Sequence, residues 1–333
     1  MKQNEITSPT RLLDADGNVA LPGWCRRNNY VYDRGAIKAN PMRIKEWDFY
    51  QISDPRYTVQ ATVADISMGG GISFVLFDRT TGERWEVFRP ALLTRGSFGM
   101  ESDAMTPHVL SRKLGGAGID IRVDGKRRLI VFESPAIQSA LEFTMPQGLE
   151  SLTMAVPFDE PGHFYLNQKI NCMPVKGYVR TRDRTVSFDP EDAFGLLDWG
   201  RGVWPYKCSW YWGNGAYRLD GTVFGFEIGW GFGRMDSFTE NTLFYGGTAH
   251  KLGKIRLEKS GWLSDWRFSE EDGRFEMTMT PVYDNFTSSR VICLGNICHQ
   301  VHGLWNGRAV LDDGRELEIK DMPAFCEFSD NRW

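Results

Sequence analysis

What most constrains this chain is a recurring aspartate–glycine pair set among stretches of alternating apolar and polar residues. It occurs at Asp16-Gly17, Asp124-Gly125, Asp220-Gly221, Asp272-Gly273 and Asp313-Gly314. A two-residue type I′ turn needs positive φ at both central positions, so Asp-Gly between strands is a strong hairpin signal. Period-two stretches recur around these pairs: Tyr57-Val59-Ala61-Val63, Phe275-Met277-Met279-Pro281-Tyr283 and Leu317-Ile319. Sustained apolar spacing at 3.6 residues is scarce. Residues 134–141 offer a short helix, but Pro135 makes an extended reading as good. The chain is expected to be all-β.

At 333 residues it is long enough for two ordinary domains. Residues 1 to about 45 read as an extended lead-in broken by Pro9, Pro22 and Pro41. Two antiparallel barrels or sandwiches are expected, 1–190 and 191–333. A net charge of -4 argues against nucleic acid, which needs clustered positive charge. Lys126-Arg127-Arg128 and Arg180, Arg182 and Arg184 are read as solvated faces of strand-like segments. The polar start, Met1-Lys2-Gln3-Asn4-Glu5, lacks a signal peptide's apolar core, and no run spans a bilayer. The acceptor pattern Asn285-Phe286-Thr287 therefore carries no weight. Six scattered cysteines are expected to be reduced and mostly buried, in a cytoplasmic protein. Oligomeric state is not legible.

Function concentrates between Phe194 and Phe232, which holds five of the 12 tryptophans: Trp199, Trp204, Trp210, Trp212 and Trp230. Such density means a core, an aromatic-lined pocket, or both. Asp198 and Arg201 sit inside it, and buried charge needs a partner or a job. A carboxyl group among indoles has its ionised form destabilised, which suits a general acid able to protonate a C=C bond. The tryptophan faces would then stabilise the resulting carbocation. The alternative is a structural Asp198–Arg201 pair. In Val223 to Phe232 the even positions make an apolar wall, while the odd ones are mostly glycine around Glu227. Glu227 is expected to point either into filled space or into solvent.

Several segments resemble a bacterial family of unknown function, the one numbered two-eight-zero-four. They are Leu196 to Tyr206, Thr239-Glu240-Asn241 with Leu243-Phe244-Tyr245, His250-Lys251-Leu252, Lys169 to Pro174, Ile44 to Asp48 and Pro22-Gly23-Trp24. The resemblance runs from about residue 5 to Trp333. Glu227 and the spacing Arg234-Met235-Asp236 depart from the commoner family pattern. That family is similar in turn to the AttH and carotenoid hydratase (hydroxyneurosporene synthase) group, with Asp198-Trp199-Gly200 matching its Asp-containing Trp-Gly segment. The resemblance implies tandem lipocalin-like (calycin-type) barrels and a hydrophobic small-molecule ligand. It supplies no reaction.

The candidate catalytic residues are Asp198 and Glu240. Candidate ligand contacts are Trp199, Arg201, Trp204, Tyr206, Trp210, Trp212, Glu227, Trp230 and Asn241. No cofactor or metal is expected. Cys298 and His302 share a strand face while His299 takes the other, so with Cys293 they make a poor metal site. Gly229, Gly231 and Gly233 lack a dinucleotide fingerprint's spacing, and no G-x-S-x-G elbow occurs. Three readings stand. The first is an acid-catalysed hydratase, isomerase or cyclase of an unsaturated apolar compound, the second a carrier or sensor of such a compound. The third is a glycosidase using paired carboxylates, Glu240 with Asp236.

Overall fold

The structure, a computed structural model, describes residues 3–291 and 294–332. It is a tandem of lipocalin-like, antiparallel β units. The first sheet has thirteen strands. Its main path runs Arg84–Leu92, Gly69–Asp78, Tyr57–Asp65, Lys45–Ser53, Phe194–Val203, Phe164–Arg180, Gln138–Thr144, Arg127–Glu133, Ala117–Val123 and His108–Leu114. The path curls almost shut: Arg89 Nε on one edge strand donates to Gly115 O beyond the other, at 2.8 Å. The second sheet has nine strands, centred on Lys207–Leu219, Glu316–Arg332 and Leu294–Val310. The chain changes sheet between Val203 and Lys207, so the strand Phe194–Val203, past residue 190, belongs to the first.

Alternation decides which side chains fill each barrel. Val59, Ala61 and Val63 turn inward, as do Ile72, Phe74 and Leu76 of the next strand. In the second unit Phe226 and Phe268 pack on Trp305, with ring centroids 4.7 and 4.5 Å apart. Residues 134–141 form no helix; Gln138–Thr144 is a strand paired with Arg127–Glu133. Of the Asp-Gly pairs, Asp220-Gly221 has both residues at positive φ, 48° and 82°, and joins Lys207–Leu219 to Thr222–Trp230. At Asp124-Gly125 only the glycine is left-handed; there the Asp124 carboxylate accepts the amides of Lys126 and Arg127.

Two basic clusters depart from expectation. Arg128 is not solvated: it turns into the first barrel and donates to Ala104 O at 2.7 Å and Tyr50 Oη at 3.3 Å. Inward alternation with Ile130 and Phe132 places it there. The strand holding Arg180 ends at that residue, so Arg182 and Arg184 lie in a turn and share no strand face with it.

The strand Phe194–Val203 is buried at every position. One face looks into the first barrel, and the other is covered by the second sheet. The same holds for Phe164 to Met173 on the neighbouring strand. Two doubly covered strands, side by side, thus form the floor of the junction between the units. A bulge between Ile170 and Met173 fastens it. There Asn171 Nδ2 donates to Phe226 O and Gly215 O of the second sheet, at 3.1 and 3.3 Å. Cys172 beside it takes a left-handed φ of 62°.

Candidate functional site

A cavity of about 390 Å³ lies at this junction, outside the first barrel's lumen and against the second sheet. Eight of its lining residues are aromatic, among them Trp47, Tyr165, Trp204, Trp210, Trp212 and Phe232. The rings meet edge to face in several places: Trp47 on Trp204 at 4.9 Å and 79°, Trp210 on Phe232 at 5.0 Å and 61°. Phe232 reaches the cavity because its strand stops at Trp230, and Gly231, at φ 93°, turns the chain. It therefore leaves the apolar wall that even numbering assigned it.

Strand register sets the polar floor. Asp198 lies directly opposite Lys169 on one side and Phe49 on the other; Gly200 lies between Asn167 and Trp47. Lys169 Nζ reaches Asp198 Oδ2 at 3.3 Å and Glu240 Oε1 at 3.1 Å, and stands 4.0 Å over the Trp212 ring. The other oxygen of Asp198 accepts from Asn167 Nδ2 and from Trp47 Nε1. Burial works against the Lys169 charge, but Asp198, Glu240 and Glu227 together hold its pKa above the usual lysine value. Removing one member of such a buried cluster strands the others and costs about 3–5 kcal/mol.

Arg201 takes no part. Three residues from Asp198 on the same strand, it faces the opposite way, into the first barrel. There it pairs with Asp48 Oδ1 at 2.9 Å and stacks 4.1 Å over Trp199. The expected Asp198–Arg201 pair therefore does not form, and Trp199 packs in the barrel core. Glu227 is fully buried behind Trp212, accepting its indole N–H at 2.8 Å and the Asn214 amide. Burial pushes its pKa up to about 8, against the pull of Lys169 and of the indole. Asn241 holds the backbone, accepting from Gly229 N at 2.9 Å and donating to Gly253 O at 2.7 Å. Trp230 stacks on Tyr211 at 5.1 Å in the second unit. Tyr206 and Asp236 are exposed, so Asp236 is not among the cavity carboxylates. Of the sequence candidates, Asp198, Glu240, Trp204, Trp210 and Trp212 line the cavity.

Two lining groups escaped sequence reading. Lys169 was noticed only within a family segment, yet it is a lone lysine in an otherwise uncharged run, Tyr165 to Met173. Glu327 interrupts Ala324-Phe325-Cys326 and Phe328 in the same way. It lines the opposite wall, accepting from Trp210 Nε1 and from Gln300 Nε2, each at 3.1 Å, and burial raises its pKa. The metal reading finds no convergence among its described members. His299 stacks on Trp262 at 3.8 Å and pairs with Asp284 at 2.7 Å. His302, on the other face, is held neutral, its pKa pushed down to about 3 by burial and then by Arg79. Cys293 lies outside the described residues.

The sequence matches the domain of unknown function DUF2804 over residues 3–333. The chain belongs to that family. Among curated proteins none matches it. Solved structures of the same fold include kievitone hydratase from Nectria haematococca, at TM-score 0.51 and 10% identity over 87% of this chain and 88% of that one. An AttH-like protein from Nitrosomonas europaea has TM-score 0.51 and 13% identity over 89% and 95%. CghA, solved with Sch210972, has TM-score 0.51 and 12% identity over 96% of both chains. At such identities the likeness establishes the fold alone. No helix among the described residues of this DUF2804 chain is long and apolar enough to cross a membrane.

Proposed function

We propose that this protein is a cofactor-independent enzyme acting on an unsaturated apolar small molecule, of isoprenoid, polyene or lipid-like kind. It hydrates, isomerises or cyclises that molecule by proton transfer from Asp198. The observation that carries the reading is a buried Asp198–Lys169–Glu240 cluster in a cavity lined in large part by aromatic rings. In the resting cluster, Asp198 Oδ2 accepts the N–H of Lys169. Asp198 acts in its protonated form, with the proton supplied by water in the cavity, since the neighbouring carboxylates hold the Lys169 proton in place; its O–H then faces the cavity. Protonating a C=C bond forms a C–H bond and leaves a carbocation beside the indoles. Addition of water, or loss of a neighbouring C–H proton, quenches the cation and returns one proton to the cluster. Glu240 keeps Lys169 in place.

A carrier of the same ligand needs only the aromatic walls. It has no use for a carboxyl group facing the cavity, which favours the enzyme. The names of the similar folds, a hydratase among them, agree with this reading. Free, buried Cys25, Cys172 and Cys326 agree with a cytoplasmic setting.

The test incubates wild type and Asp198→Asn with an apolar extract of the host and follows the extract by mass spectrometry. The expected outcome is a compound that gains one water, or changes retention at constant mass, only with wild type. The Asn variant should still bind it while turnover drops by roughly 10²- to 10⁴-fold, the usual worth of general acid catalysis. A ligand retained by both proteins and changed by neither would leave the carrier reading standing.

A further inference from the structure

The walls of this cavity carry an imbalance that neither an apolar ligand nor a simple proton donor requires. Among the described lining residues, three carboxylates (Asp198, Glu240 and Glu327) stand against one ammonium, Lys169. Lys45, 5.1 Å over the Trp204 ring but not among the lining residues, supplies a second cation nearby, so three carboxylates stand against two ammonium groups. Eight of the remaining lining residues are aromatic, and their faces also attract positive charge. Lys169 already uses such a contact, at 4.0 Å over Trp212.

We propose that the cavity is selective for positive charge on an apolar ligand, so that a cationic analogue binds more tightly than its neutral counterpart and an anionic one is rejected. This rests on the apolar-ligand reading above and adds a substrate property to it: the bound molecule is, or transiently becomes, a cation. Carboxylates that outnumber the ammonium groups leave negative potential in a site where water does not screen it. Indoles add attraction that is sizeable only when the cation is desolvated. An enzyme whose reaction passes through a carbocation gains rate from such walls, because groups complementary to the developing charge bind the transition state more tightly than the substrate. A stable ammonium of the same shape then behaves as an analogue of that state. A carrier of neutral polyenes gains nothing from them.

The test needs no knowledge of the natural ligand. Three probes of one chain length, N,N-dimethyldodecylamine, dodecanol and dodecanoate, are titrated below their micellar concentrations near neutral pH, with binding followed by tryptophan fluorescence and calorimetry. The expected order is amine, then alcohol, then carboxylate, with about a tenfold advantage of amine over alcohol, the worth of one desolvated cation–π contact. Two variants place the effect in the cavity. Glu240→Gln should erase most of the advantage. Glu327→Gln, whose partners Trp210 and Gln300 are uncharged, is the gentler change should Glu240→Gln fold poorly, and it should reduce the ratio of amine to alcohol affinity. Equal affinity for amine and alcohol overturns the inference but leaves the apolar site intact. An amine advantage undiminished in both variants overturns it too, since the preference then comes from the acidic surface. If none of the three probes binds, the apolar-ligand reading fails with it.

Discussion

Glu227 keeps its proton at a pH where an exposed glutamate has lost it, and this makes stability depend on pH in a direction opposite to most carboxylates. Its pKa rises from an ordinary 4.5 to about 8 in the folded protein. The folded state therefore binds the proton more tightly than the unfolded one. Its contribution is fully present below about pH 4.5, declines as pH rises, and is lost above about pH 8. The size of that decline is on the order of 3–5 kcal/mol for a shift of this extent. Glu227→Gln should remove it. Melting temperatures of both proteins between pH 4.5 and 9 should converge in acid and separate in base, with the glutamine form the more stable there. Parallel curves would show that Glu227 is ionised in the native protein. At this scale the sequence marked Glu227 by the bare glycines around it but left open whether it was buried or wet. Asp198 and Glu240 were legible as acids among aromatic residues. Lys169, which joins them, was not, because Asp198, its partner on the next strand, is 29 residues away in sequence.

The strand Phe194–Val203 explains its own glycines. A Cβ on Gly200 would lie 2.3 Å from the Trp47 ring, and one on Gly202 would lie 2.2 Å from Phe164 O. Trp47 thus lies flat on the backbone of the floor, which is how it reaches both the cavity and Asp198 Oδ1. Gly200→Ala should push that indole out of place. The expected cost is about 1–3 kcal/mol of stability, as for other overpacked sites, with weaker binding of an apolar probe such as dodecanol. Gly118→Ala is the control, since a Cβ there meets only ordinary contacts, the first at 3.5 Å from the flexible Lys113 chain. Fluorescence titration alongside thermal melts checks both; unchanged probe affinity in Gly200→Ala would falsify this role for Trp47. The Asp-Trp-Gly-Arg-Gly sequence is in this sense two patterns interleaved on one strand. Odd-numbered Trp199 and Arg201 serve the barrel interior, and even-numbered Asp198 and Gly200 serve the cavity.

Across the whole molecule, the cavity exists only because two sheets close on a shared floor. Asn171 is the peg of that closure, reaching two carbonyls of the second sheet. Asn171→Ala should cost about 1–3 kcal/mol, the usual penalty for unsatisfied buried groups. It should also lower probe affinity without altering either barrel's own core. Calorimetry is expected to resolve a broadened or split transition where wild type unfolds in one. A single sharp transition with full affinity would show that the units dock without it. The sequence by itself determined the all-β class, through period-two patterning and turn residues, because both are local rules of backbone geometry. It also placed aromatic density and acids in one stretch. Only the tertiary structure decided which of them share a wall. Strand alternation sends Asp198 and Arg201 to opposite faces, and register between distant strands sets Lys169 against Asp198. The second sheet then carries Glu327 to the facing side. Such pairings depend on which strands lie side by side, and no spacing along the chain encodes that.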